Sequence, residues 1–186
     1  MRKILLAMAA FCAAAMCSAR ADTITCGGDG PYHLQGVACD GEAIYWCFTT
    51  RLVKTDLAGA QLAAVDVPGH SGDLCVHLGK VYVATEEGRY VRQSNFKQEV
   101  RVYDAATLNF LKKYSIDADC VPRGFLSSGI EYASGRFWLA VGLEENVVDE
   151  KNYVLEYTPS PAKQPEKRAS DALQNPPLIE LRHNTA

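Results

Sequence analysis

The chain has 186 residues, of which 48% are hydrophobic and 22% charged, with 19 basic against 22 acidic residues. This length is sufficient for one domain with its own hydrophobic core. The excess of acidic residues argues against a nucleic acid or an anionic membrane surface as partner, because phosphate binding requires a concentrated basic patch.

Residues 1–21 have the pattern of a secretory signal peptide. Met1–Lys3 is positively charged, Ile4–Met16 is an apolar run rich in Ala and Leu, and Ala19-Arg-Ala21 fits the small-x-small cleavage signal. The apolar run is too short for a stable membrane-spanning helix. We therefore expect a secreted or periplasmic protein without membrane insertion after cleavage. The remaining 165 residues have a net charge of about −6, because residues 1–21 hold three basic residues and no acidic ones.

The first predicted structural unit contains four antiparallel strands. Short runs rich in aromatic and β-branched residues are separated by turn signals such as Gly59 and Pro68-Gly69. The predicted strands are Gly36–Cys39, Ile44–Thr50, Arg51–Leu57 and Gln61–Val67.

The same order of elements returns twice along the chain. His33 opens the first unit and His70 opens the second, each before a small strand, a Gly turn and an aromatic strand. The second unit is predicted to contain Asp73–His77, Lys80–Thr85, Glu99–Tyr103 and Asn109–Ile116. The third unit is predicted to contain Gly129–Ala133, Arg136–Val141 and Tyr153–Tyr157, and to stop before its fourth strand. Such recurrence is typical of repeat architectures.

The predicted fold is all-β, with about three four-stranded antiparallel blades of the β-propeller type in residues 22–157. We do not expect the ring to close, because closed propellers have at least about four blades. An immunoglobulin-like sandwich is the competing fold, but it does not explain the recurrence of one four-strand phrase.

Residues 158–186 contain five prolines and no aromatic residue, a composition that predicts a disordered tail. Three explanations of the small number of blades remain open at this point. The chain is a truncated relative of a larger propeller, or its open blade edges are completed by self-association, or it is a small open stack of sheets.

Three phrases carry a resemblance to known proteins: Gly36–Trp46, Lys54–Leu57 and Lys80–Thr85. They resemble blades of exported bacterial β-propeller repeat proteins, the broad group with YVTN-type, NHL-type and gluconolactonase-like repeats. The resemblance covers about residues 33–157 and implies a propeller truncated to about three blades. It does not identify an activity, because propellers include enzymes, binding proteins and scaffolds.

Five cysteines remain after residues 1–21, and an oxidising compartment would permit one or two disulfides among them. The odd count leaves at least one thiol unpaired or bonded to another chain, and the spacing does not define the pairing. Cys39 and Cys75 occupy matching positions in the repeat, where we expect small buried hydrophobes rather than redox groups. The five are Cys26, Cys39, Cys47, Cys75 and Cys120.

We expect the candidate site residues at one mouth of the propeller channel, where the innermost strands begin. His33 and His70 precede such strands, and with Asp73 they are candidate ligands of a divalent metal ion. They supply at most three ligands, and each His could instead bond the neighbouring blade's backbone. The candidate ligand-binding residues are His33, Gln35, His70, Asp73 and Arg123.

Each of the other candidates has two interpretations. Asp73 suits a general base or a cap for exposed N–H groups, and Gln35 suits a contact to a substrate hydroxyl or a turn cap. Arg123 suits bidentate binding of a carboxylate or a solvated surface charge.

Three functional hypotheses follow. The first is an exported propeller module that binds a carbohydrate or a partner protein without clear catalytic machinery. The second is the remnant of a metal-dependent propeller hydrolase, lactonase or lyase with His33, His70 and Asp73 at the axis. The third is a truncated fragment without independent function. Whether the protein is an enzyme stays open.

Overall fold

The computed structural model describes residues 22–88, 96–143, 152–158 and 179–181. The predicted signal peptide, residues 1–21, lies outside the described residues, as does most of the predicted tail. Within the described ranges, no helix is both long and apolar enough to cross a bilayer.

The described residues form an all-β fold with three antiparallel sheets, as predicted, and none of these sheets closes into a barrel. Each of the three sheets has four strands. Each sheet is a meander in which strands that follow one another in the chain are neighbours. The first sheet contains β1 (Leu34–Cys39), β2 (Ile44–Phe48), β3 (Arg51–Thr55) and β4 (Gln61–Asp66). The second contains β5 (His70–His77), β6 (Lys80–Glu87), β7 (Lys97–Asp104) and β8 (Phe110–Ser115). The third contains β9 (Phe125–Ala133), β10 (Arg136–Leu143), β11 (Asn152–Tyr157) and β12 (Ile179–Leu181).

Strand β12 corrects the prediction that the third unit ends before its fourth strand. Its three residues pair antiparallel with β11, with Asn152 opposite Leu181 and Val154 opposite Ile179. The strand lies in a segment whose composition indicated disorder. Its pairing with β11 defines it, and a three-residue run has too little local pattern to be recognised alone.

Two separate hydrophobic cores hold the three sheets in chain order. Strand β5 shows the reason, since Leu74 contributes to one core and the adjacent Cys75 to the other. The core between the first and second sheets includes Tyr45, Cys47, Leu52, Leu74, Val81, Val83, Tyr103 and Leu108. The core between the second and third sheets includes Cys75, Ala84, Val100, Ile116, Phe125, Ile130, Leu139 and Tyr157. The second sheet is therefore covered on both faces.

Glycines allow the inner strands to approach closely. A Cβ atom on Gly36 of β1 would lie 2.9 Å from Asp73 Cα in β5, and a Cβ atom on Gly72 would lie 2.7 Å from Ser128 O in β9. No side chain fits such contacts, so glycine is required at both positions. Strands β1, β5 and β9 therefore lie side by side, as expected for the innermost strands of neighbouring blades.

A β-bulge recurs at the same place in each inner strand. The pairing register shifts between Leu34 and Gly36 in β1, between Ser71 and Leu74 in β5, and at Ser128 in β9. A bulge bends its strand and changes the direction of the adjacent side chains. The repeat seen in the sequence is thus also a repeat of backbone geometry.

The linker between the second and third sheets packs into the core instead of forming an open loop. It contains α1 (Asp117–Cys120) and a 3-10 helix (Val121–Arg123). Tyr157 of β11 donates its hydroxyl hydrogen to Asp119 Oδ2 at 2.9 Å, and Cys120 is buried.

All five described cysteines are free thiols, so the expected disulfides are not formed in this structure. Cys75 is buried as predicted, whereas Cys39 is exposed, and the prediction that it is buried was wrong. The reason is its position on β1: Ala38 packs towards the second sheet, so its neighbour Cys39 points to the uncovered face.

Candidate functional site

The candidate residues before the inner strands lie at one end of the sheets, here called the upper end. Strands β1, β5 and β9 begin there, and the hairpin partners β2 and β6 end there. His33 directly precedes β1, and His70 is the first residue of β5, opposite Glu86 of β6. The strand register therefore brings side chains from two sheets to one surface.

His70 lies between two polar side chains. Its Nδ1 is 3.2 Å from Glu86 Oε1, and its Nε2 is 3.5 Å from Gln35 Nε2 of the first sheet. The Gln35 amide nitrogen also donates to Thr49 Oγ1 at 3.3 Å. We call these four residues, Gln35, Thr49, His70 and Glu86, the His70 cluster.

The hydrogen bonds of the His70 cluster favour one tautomer of the imidazole. The Glu86 carboxylate can only accept a hydrogen bond, so the ring hydrogen is assigned to Nδ1, which donates it to Glu86. Nε2 is then the acceptor for the Gln35 amide. With both Gln35 amide hydrogens directed to Thr49 and His70, the Gln35 carbonyl oxygen is the atom left to accept a hydrogen bond from a ligand.

Thr49 connects the two histidine segments through the main chain. Thr49 N donates to His33 O at 3.1 Å, and Ser71 N donates to Thr49 O at 2.8 Å. The main chains at His33 and His70 therefore lie at the same end of adjacent strands. The His33 imidazole is exposed and makes no hydrogen bond or ion pair with another described residue.

Tyr32 and His33 form the exposed margin beside the His70 cluster. Tyr32 is 78% exposed and has a φ of 67°, in the left-handed region that tyrosine rarely adopts. The Tyr32 ring is therefore exposed to solvent, one residue before His33 in the chain.

Asp73 does not join the two histidines. Its Oδ1 accepts a hydrogen bond from Leu74 N at 2.8 Å, and its main chain packs beneath Gly36. Burial raises the pKa of the Asp73 carboxyl and the charge of Glu131 raises it further, against the hydrogen bonds from Leu74 N and Ile130 N. Its observed role is therefore the capping of main-chain N–H groups.

A metal site of His33, His70 and Asp73 gains no support from the geometry. Among the described residues, no group of three or more His, Cys, Asp or Glu side chains is placed to hold an ion. The two nitrogen atoms of His70 face Glu86 and Gln35 instead of a shared third ligand.

Arg123 lies at the upper end but outside the His70 cluster. It ends the 3-10 helix before β9, is exposed, and donates from Nη1 to Asp119 O at 3.1 Å. This hydrogen bond lies within the linker. Arg123 therefore contacts a main-chain carbonyl in this structure, whereas the prediction was a contact with the carboxylate of a ligand.

Sequence analysis did not identify Thr49 and Glu86. Thr49 lies in the β2–β3 turn, and Glu86 lies beyond the predicted end of its strand at Thr85. The signal that could have found Glu86 is the hairpin register, because extending β6 by one residue places Glu86 opposite His70.

The sequence matches no family model and no curated protein. Among solved structures, it is similar to a protein of unknown function from Bacteroides caccae, at 13% identity and a TM-score of 0.49. That match covers 83% of this chain and 48% of the other, so the chain spans about half the length of that protein. It is also similar to the computationally designed Ika4 protein, at 9% identity and a TM-score of 0.37, over 75% of this chain and 99% of that one.

Proposed function

We propose that this chain is an exported β-propeller-type module that binds a carbohydrate at the His70 cluster without catalysing a reaction. In this proposal its sheets are blades of the YVTN-, NHL- or gluconolactonase-like kind. The observation that supports the proposal most directly is the junction of Gln35, His70 and Glu86 from two sheets at one solvent-exposed surface.

The chemistry of the His70 cluster suits a neutral polyhydroxyl ligand. The Gln35 carbonyl oxygen is left to accept a hydrogen bond from a sugar hydroxyl, and the amide, imidazole, hydroxyl and carboxylate groups can exchange their present partners for sugar hydroxyls. A single carboxylate paired with an imidazole is a poor match for an anionic ligand. Binding sites commonly combine a few such polar groups with an apolar contact surface.

The exposed ring of Tyr32 supplies the apolar contact. Sugar rings have C–H faces that pack against aromatic rings, and the phenol oxygen remains free to donate or accept. Tyr32 immediately precedes His33, whose main chain is bound to Thr49 of the cluster. Tyr32 is therefore one residue away from a main-chain group that is bound to the cluster.

The absence of catalysis in this proposal rests on the position of Asp73. A general base must reach the proton that it removes. Asp73 instead binds the N–H group of Leu74 and lies under Gly36, so it is not directed at the exposed surface.

A glycan array with the purified chain tests the proposal. We expect binding to at least one neutral glycan, and at least a tenfold loss of affinity for His70→Ala and for Gln35→Ala. The matched control is His77→Ala, because His77 is the last residue of the same strand and stacks on Tyr132 at the opposite end.

Three outcomes would contradict the carbohydrate proposal. One is that the folded wild-type chain binds none of the glycans. Another is that His70→Ala and His77→Ala bind equally well, which would place any carbohydrate elsewhere on the molecule. The third is binding only to a protein partner.

A further inference from the structure

The outward face of the third sheet, defined as the face opposite the second sheet, lacks a neighbour among the described residues. Ile130 of β9 and Leu139 of β10 pack into the core. The alternation of side chains therefore directs Gly129 and Ala140 to the outward face. Ala140 is exposed there, and a Cβ atom on Gly129 would meet only Ala140 Cβ, at 3.1 Å.

Gly129 is the third member of a series whose first two members are covered. Gly36 packs against Asp73 of the second sheet, and Gly72 packs against Ser128 of the third sheet. Each of the three glycines follows the bulge of its inner strand or forms part of it. The repeat has thus kept the glycine of an inter-sheet contact at a position where the contact is missing.

The first sheet has a complementary face at the other end of the stack, and this face is open along its inner strand β1. Ala38 packs towards the second sheet, so Val37 points outwards, and it is 53% exposed. Leu34 and Leu62 are also large exposed hydrophobic residues of this sheet. The inner strand β1 thus exposes apolar side chains on this face. In the second sheet, a neighbouring sheet buries the corresponding surface.

The segment before β1 covers the middle of that face, where Val53 of β3 is fully buried. Gly27 N donates to Gly59 O at 2.7 Å, and a Cβ atom on Gly28 would lie 2.8 Å from Val53 Cγ1. A Cβ atom on Gly30 would meet the Phe48 ring of β2. This segment therefore lies over β2, β3 and the β3–β4 turn. The inner strand β1, where sheets of this fold approach most closely, remains open.

We propose that the outward face of the third sheet docks on the outward face of the first sheet of a second copy of this chain. The same contact formed twice closes a ring of two chains and six sheets around a twofold axis. Six lies within the usual range of four to eight blades. A contact between two different surfaces gives a closed ring only when the successive rotations add up to a full turn. In this proposal, two copies complete the turn.

The proposal is independent of the carbohydrate site, and its test measures mass instead of ligand binding. Light scattering during size-exclusion chromatography of the purified chain should give a dimer that dissociates on dilution. Gly129→Arg should give a monomer, since a long charged side chain then occupies the contact. Ser115→Arg is the matched control, because Ser115 is an exposed residue of β8 in the second sheet, and it should remain dimeric.

A second variant separates loss of the interface from loss of the fold. Val37→Glu alters the opposite surface and should also give a monomer with an unchanged circular dichroism spectrum. An equal mixture of Gly129→Arg and Val37→Glu should regain dimers, because one of the two contacts then joins two unaltered faces. Misfolded variants would not recover on mixing.

A wild-type chain that stays monomeric at all concentrations would overturn the proposal. So would a dimer that survives both substitutions, since its interface would then lie elsewhere. Open-ended higher oligomers would likewise count against a ring closed by two chains.

Discussion

Gln98 Oε1 accepts a hydrogen bond from Ser127 N at 2.7 Å, so a buried side chain of β7 holds the main chain of β9. The same amide donates from Nε2 to Phe125 O. Gln98 is fully buried. Its two hydrogen bonds to main-chain groups of β9 join the second sheet to the third.

Replacement of Gln98 should therefore weaken the junction between these sheets. We expect Gln98→Ala to lower the free energy of unfolding by about 2–4 kcal/mol, because it opens a cavity and leaves two buried main-chain groups unpaired. Urea denaturation followed by circular dichroism measures this change. Gln61→Ala, at an exposed position of β4, should change stability by less than about 0.5 kcal/mol. Equal effects of the two substitutions would refute the role of Gln98.

Substitution of Gly72 tests the close approach of the inner strands. We expect Gly72→Ala to cost about 1–3 kcal/mol, because the new methyl group would press on the Ser128 carbonyl and separate β5 from β9. Gly142→Ala is the control, since a Cβ atom there has no neighbour within 4 Å. Thermal denaturation of both variants at one low protein concentration gives the comparison. A Gly72 variant as stable as the control would mean that the strands can move apart freely.

Tyr45 and Asp40 should link stability to acid pH. Burial opposes ionisation of Asp40, but hydrogen bonds from the N–H groups of Glu42 and Ala43 and from the Tyr45 hydroxyl outweigh it, and the pKa of Asp40 is lowered. A lowered pKa in the folded state stabilises the protein above the ordinary value near 3.8. That stabilisation is lost as the pH falls through the folded pKa.

Tyr45→Phe removes one of these donors. We expect it to cost about 1–2 kcal/mol at pH 7 and less at pH 3, because pH 3 lies below the ordinary pKa of 3.8 and the stabilisation from the lowered pKa is then being lost. The free energy of unfolding at both pH values provides the measurement. In an Asp40→Asn background, the pH-dependent part of the effect should disappear, and its persistence there would assign the effect to another group.

The cysteines should differ sharply in their reactivity towards alkylating reagents. Burial raises the pKa of Cys47, of Cys75 and of Cys120 to about 12, so their thiolates are rare at pH 8. Cys39 is exposed on β1. We expect iodoacetamide to modify Cys39 in the native protein, and the three buried thiols only after unfolding, as read by peptide mass spectrometry. Rapid labelling of Cys75 in the native protein would show that the core between the second and third sheets opens readily.

The sequence allowed most of the strands to be located, because alternation and turn residues are local signals. Strand β2 was predicted to begin at Ile44, as it does. Strand β12 was missed because three residues acquire their conformation from β11 alone. The end of the fold at which His70 lies followed from the repeat. The contact of His70 with Glu86 did not, since it depends on the hairpin register and on a bulge that moves side chains from one face to the other.

The second sheet is the common member of both hydrophobic cores. Its amide hydrogens should therefore be the last to exchange with deuterated solvent, and pulling on the chain ends should peel away the flanking sheets before it yields. A destabilising substitution in β6 or β7 would weaken both hydrophobic cores, whereas one in β3 would weaken only the core between the first and second sheets.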